Sequence, residues 1–411
     1  MDTPNLNQRE RIVCIDRLRG IIIFAMIFFQ LLKRFDSLGI LSRIASHDIE
    51  TGILIMPGMV IADIIAPLFF MAISLNYIPS LKSRIARDGR RAAYGHFILR
   101  YLDLIGFGFA LRIIDIIVND DNVWYQIASF VIVVIALLAG IGLLVSSLVK
   151  NAKRFGEICQ KTLFTTLAVL GIICCIVSSV DAYRIFYLEQ SSQKYWGVLQ
   201  SIGGAGLLVL LFAEAGAVIR TCAAVTIFGT FSFIHELPGF MEKIDVDVQG
   251  GVTGILGWGS MMLAFTVLAD LFWHDRDMKK QGKKGIMANA YLLGTAVTIA
   301  LGIFGACTFT INKGSVSPGY ILVSLPICAV GFWLISLTDA WQPKFNFFIW
   351  WGTSPIIMYL LQYIFNDVLM TLVSGIEDLP YVPALLFSVV ITAIISYVAY
   401  ILYKKKQAIR F

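Results

Sequence analysis

Charge is scarce in this chain: Asp, Glu, Lys and Arg make up 15% of its 411 residues, where soluble domains carry about a quarter. Histidine is scarcer still, with four in all. There is no Cys-x-x-Cys pair, no His-Glu-x-x-His and no other metal-ligand spacing, so no metal is expected. Glycine-rich phosphate loops of either usual spacing are also missing, which removes the common ATPase readings along with the metalloenzyme ones. A cleavable secretory leader is not expected either, because residues 1–13 are polar and the apolar run after them is too long.

Apolar residues fill the space that charge leaves. They make up 58% of the chain, with a mean hydropathy of +0.79. Runs of about twenty recur from end to end, the signal for spanning helices. We expect an all-α polytopic membrane protein, one integral membrane domain over residues 1–411, with the bilayer as its first partner. Twelve spans are predicted near 20–33, 58–80, 97–118, 124–149, 162–180, 196–219, 221–235, 251–272, 286–308, 316–338, 345–365 and 382–403, the seventh short enough to be re-entrant. With the N-terminus inside, 24 Lys and Arg fall in cytoplasmic segments and 7 in outer ones. That asymmetry obeys the positive-inside rule and puts both termini in the cytoplasm. The net charge of +6 therefore speaks to orientation, and no nucleic-acid partner is expected. None of the seven cysteines falls in an outer loop, so an unbridged protein is expected.

Against this background the polar groups inside spans stand out, since a charge at mid-membrane costs roughly 2.5–3.5 kcal/mol on insertion scales. The stretch from Ala62 to Leu75 is apolar enough for a bilayer, yet contains Asp63, Pro67 and Ser74. Pro67 is expected to free a backbone carbonyl in this helix. The loop feeding it, Lys33 to Pro57, holds His47. Arg112 and Asp115 lie three apart on one helix face and neutralise each other. Glu214 and Asp270 fall towards inner span ends and snorkel to headgroups. Asp16, Arg17 and Arg19 open the first span: the carboxylate suits a helix N-terminus and the arginines act as interface anchors.

Several stretches resemble one family in order along the chain. Ile15-Asp16-Arg17-Leu18-Arg19-Gly20 is similar to the opening "LD-x-x-RG" signature of heparan-α-glucosaminide N-acetyltransferase and its bacterial relatives. Ala62-Asp63, Pro67-Leu68-Phe69-Phe70 and Ser74-Leu75 resemble the family's "ADLVFPxFxFxxGxSL" helix. Trp196 to Ile202 resembles its "PGVLQRI" span, and Gly251 to Gly257 its "GxLGTL" helix start. Asn312-Lys313 with Ser317-Pro318-Gly319-Tyr320 resembles the "NK-x-x-W-TPSYVLL" corner, and Trp351 to Tyr359 the "FGxNPLxxYVL" segment. The resemblance implies a ten-helix acyltransferase core, with residues 124–180 as an inserted transmembrane hairpin that keeps the sidedness of everything after it. One use for that hairpin is a dimer interface, so a homodimer is among the expected assemblies.

The resemblance implies transfer of an acetyl group from cytosolic acetyl-CoA, the acyl donor, to an amino or hydroxyl group of a saccharide or glycan on the outer face. Such a reaction needs a base for the acceptor's proton and donors for the developing oxyanion. At the place of the family's outer-loop histidine stands Ile53, with Met56 for its tryptophan and Gly58 retained. Ser201 and Ser354 replace an arginine and an asparagine. His47, six residues upstream of Ile53, becomes the expected base if the loop has lengthened, with Asp63 as the carboxylate beside it. Asp16, Arg19, Gln200, Asn312 and Lys313 are the expected substrate contacts. His235, with Glu236 beside it, is the reserve base. The outer loops carry 14 acidic residues against 7 basic ones, which leans towards a neutral or cationic acceptor such as an amino sugar. The segment before the first span holds no large domain, which points to a plasma (inner) membrane rather than a lysosome. Two alternatives stay open: a secondary transporter, for which twelve spans are suited but no repeat between halves is visible, and a catalytically inactive relative.

Overall fold

The computed structural model describes residues 13–47, 49–50, 52–119, 153–188, 196–237, 248–282, 289–338, 347–353, 355–363 and 378–404. Their helices are α1 (Val13–Leu32), α2 (Ile40–Ala45), α3 (Ile65–Asp88), α4 (Arg90–Asn119), α5 (Lys153–Leu188), α6 (Val198–Leu210) and α7 (Ala217–His235). After these come α8 (Gly254–Lys280), α9 (Ala290–Thr308), α10 (Pro318–Leu337), α11 (Phe347–Gly352), α12 (Pro355–Tyr363) and α13 (Tyr381–Lys404). A hairpin of β1 (Leu54–Met56) and β2 (Met59–Val60) is the one sheet among the described residues.

Seven helices among the described residues are long and apolar enough to cross a membrane. The chain therefore has an all-α polytopic membrane architecture. Large apolar side chains stay exposed on their flanks, including Val218, Val225 and Phe233 on α7, Leu293, Ile303 and Phe304 on α9, and Val382, Leu386 and Val390 on α13. Acyl chains cover such faces; water does not. Hydroxyls on these helices fold back onto the carbonyl one turn earlier, as Thr230 does onto Thr226 and Thr392 onto Ser388, which satisfies these groups inside the helix itself.

Several expected spans shift. The seventh runs from Ala217 to His235, 19 residues, so it is long enough to cross. The eleventh is broken into α11 and α12, ahead of Pro355. Of the expected hairpin, the arm near 124–149 lies outside the described residues, and the other lies within α5. The side chains of Arg112 and Asp115 and residue Ser354 also fall outside them. Glu214 is exposed and meets Arg90 at 3.0 Å.

The chain divides into two compact units: residues 1–76, 268–312 and 322–411 in the first, and 77–267 with 313–321 in the second. In the first, α1 packs on α11, α12 and α13 through Ile23, Ile27, Trp351, Met358 and Ile395. Arg17 is buried there, donating from Nη1 to the Thr338 carbonyl at 2.6 Å and to its hydroxyl at 3.1 Å. The expected interface anchor thus caps the end of α10, where a cation meets unpaired carbonyls. Asp275 does the converse for α9, accepting from the backbone N–H groups of Ala290 and Tyr291 at 2.8 Å each. In the second unit α4 packs against α5 and α6. At Gly106 and Gly171 the α4 and α5 backbones touch: a Cβ on either glycine would overlap the carbonyl of Leu167 or Leu102, respectively.

Candidate active site

The first unit lengthens the loop after α1 with structure of its own. A single 3₁₀ turn, Asp36–Leu38, and α2 fill residues 36–45. The chain then passes His47 and enters the hairpin, where Ile53 N–H donates to Arg43 at 3.2 Å and its carbonyl accepts from Ile61 N–H at 3.1 Å. Ile53 is thus tied through its backbone to Arg43 and Ile61, and the histidine of this loop stands six residues upstream. Pro57-Gly58 turns the hairpin, with Gly58 at φ 86, the pair that a type II turn asks for. A Cβ on Gly58 would also overlap the Ile311 carbonyl, so the hairpin tip rests directly on the segment leading to Asn312.

From β2 the chain enters a 3₁₀ turn, Ile61–Ile64, before α3. Asp63 is its third residue, and Asp63 Oδ2 accepts from Val60 N–H at 3.0 Å. A carboxylate three residues into a helical turn reaches back in this way to satisfy an otherwise orphan donor. The other oxygen, Oδ1, lies 3.0 Å from His47 Nδ1. Asp63 is 2% exposed and His47 32%. The carboxylate is therefore sealed inside the protein while the ring stands between it and solvent.

With Asp63 ionised, Nδ1 carries the ring proton and donates it to Oδ1, so Nε2 is left with a lone pair. A buried carboxylate and an imidazole that it orients in one tautomer make a general base. Pro67 has a different role from the expected one. It sits in the first turn of α3, where a missing N–H costs nothing, so it starts the helix and does not kink it. Ser74 is buried and donates to the Phe70 carbonyl at 2.8 Å, a bond internal to α3.

No protein-family model matches the chain, and no curated protein matches it.

The remaining expected contacts fall in both units. Asp16 and Arg19 are half-buried at the start of α1, where the Asp16 carbonyl packs against Gly352 of α11. Asn312 is half-buried beside Ile311, on which the Gly58 turn rests. Gln200 and Lys313 belong to the second unit. Gln200 is fully buried on α6 against Gly108, and Lys313 gives its carbonyl to Val316 N–H at 3.1 Å. Ser201 accepts from Trp196 Nε1 at 2.9 Å. Around the His47–Asp63 pair, the Val60 N–H has no signature in the sequence. Its one hint was an acidic residue three places after the last strand residue.

Proposed function

We propose that the protein is a membrane acyltransferase that moves an acetyl group from acetyl-CoA to an amino or hydroxyl group of a saccharide. The observation that carries this reading is the 3.0 Å contact between His47 Nδ1 and Asp63 Oδ1. His47 Nε2 takes the proton of the acceptor amine or hydroxyl as its nitrogen or oxygen attacks the thioester carbon. The carbon–sulfur bond breaks, and the CoA thiolate takes up the proton held on His47. Asp63 stabilises the imidazolium formed between these steps. Asn312, whose neighbour Ile311 touches the hairpin turn, is the amide proposed to hold the acceptor.

The topology proposed with this function has both termini cytoplasmic in a plasma (inner) membrane, with His47 on the outer face. The Lys and Arg distribution supports it. CoA then approaches from the inner side and the saccharide from the outer, and no metal is required.

The test uses the purified protein in nanodiscs with acetyl-CoA and glucosamine-type acceptors, following free CoA and acetylated product. Product that vanishes in His47→Ala is the expected result. No product with any acceptor, together with uptake of a solute into vesicles, would replace the enzyme by a transporter.

A further inference from the structure

The second unit contains another histidine with a hydroxyl in reach. His235 ends α7 and is 1% exposed; Ser315, also 1% exposed, sits in the turn before α10. His235 Nε2 lies 3.4 Å from Ser315 Oγ. On its other side, Nδ1 faces the Glu236 carboxylate at 3.9 Å. The order hydroxyl, imidazole, carboxylate is that of an activated nucleophile, its base and the group that steadies the base.

Two further features converge on this turn. Val316, directly after Ser315, has φ 55. A β-branched residue in the left-handed region is a genuine outlier, and such strain gathers at functional sites. The Gln249–Gly250 segment lies against the same turn: Gly250 N–H donates to the Gly314 carbonyl at 2.9 Å, and a Cβ on Gly250 would stand 2.9 Å from the Ser315 carbonyl. Gln249 is 4% exposed, also has a positive φ, and its Oε1 has no hydrogen-bond partner among the described residues. A buried acceptor without a donor is rare in a finished core and fits a donor supplied by a ligand. A His–Ser contact that only supports the fold accounts for neither the strain at Val316 nor the buried Gln249 acceptor that has no partner among the described residues.

We propose that Ser315 and His235 form a second, nucleophilic centre that takes an acyl group from activated esters or thioesters. Ser315 Oγ attacks the acyl carbon and gives its proton to His235 Nε2. The bond from that carbon to the leaving oxygen or sulfur breaks, and the leaving group departs with the proton from His235. The product is an ester on Ser315, which a hydroxyl-bearing acceptor or water then discharges by the reverse steps. This centre is independent of His47.

The full chain in nanodiscs is treated with an alkyl fluorophosphonate, digested and mapped by mass spectrometry. The expected result is one phosphonyl adduct on Ser315, absent in Ser315→Ala and formed at least about 100-fold more slowly in His235→Gln. His47→Ala labels at the wild-type rate, so failure of one centre is distinguishable from failure of the other. A second measurement needs only the wild-type protein: after incubation with p-nitrophenyl acetate, the Ser315 peptide gains an acetyl group. A folded wild-type protein unmodified at Ser315 by both reagents overturns the proposal, as does undiminished labelling in His235→Gln.

Discussion

Asparagine at position 63 separates the chemical role of Asp63 from its structural one. The substitution keeps the side chain's shape, and an amide oxygen still accepts from Val60 N–H, now held at 3.0 Å. What it removes is the charge facing His47 Nδ1 and the preference for the tautomer with Nε2 unprotonated. An imidazolium and a carboxylate 3.0 Å apart attract by about 5 kcal/mol at an effective dielectric of about 20. Water reaches His47, which is 32% exposed, so screening lowers this to about 3–4 kcal/mol. The transfer rate in Asp63→Asn should accordingly fall about 10²–10³-fold, with little change in unfolding temperature. Asp63→Ala should lose the same activity and also about 1–3 kcal/mol of stability, because the buried Val60 N–H then has no acceptor. Initial rates of CoA release, measured beside thermal unfolding of both variants, check this. An Asp63→Asn protein that keeps more than about a third of wild-type activity would refute the reasoning, and so would one as unstable as Asp63→Ala.

Gly58→Ala forces a Cβ onto φ 86 and into the Ile311 carbonyl; the hairpin must move, and activity should drop at least about tenfold with about 1–2 kcal/mol of stability, read from the same two assays. Gly106→Leu drives α4 away from α5, and the cost, about 3 kcal/mol or more, should appear as a lower detergent unfolding temperature and reduced folded yield. Asp275→Ala strips the first N–H groups of α9 of their acceptor and should cost about 1–2 kcal/mol, with Asp275→Asn recovering part of it in a thermal-shift series.

The membrane class was legible in the sequence because hydropathy is additive: a helix from Ala290 to Thr308 is apolar whatever packs against it. The polar interior was less so, since a side chain's partner is set by tertiary contact. Arg17 looked like an anchor for headgroups because nothing in sequence ties it to Thr338, 321 residues away. Pro67 is read from sequence as freeing a carbonyl inside a helix because the turn into α3 leaves no mark there, and four residues decide whether a proline starts or interrupts a helix. For the candidate site, Asp63 was conspicuous as a carboxylate in an apolar run, and His47 was the histidine near it. The distance between them depended on how residues 36–45 fold, and the short helix there is what brings His47 back to the carboxylate. Ser315 carried no signal at all; its partner lies 80 residues earlier in the chain.

Acyl transfer through His47 is tested most directly by single-turnover reaction of radiolabelled acetyl-CoA with a glucosamine-type acceptor, wild type beside His47→Gln in nanodiscs. Labelled saccharide from the wild type, with a loss of about 10²-fold or more in the variant, is the predicted result. Equal product from both proteins, each folded, would contradict it.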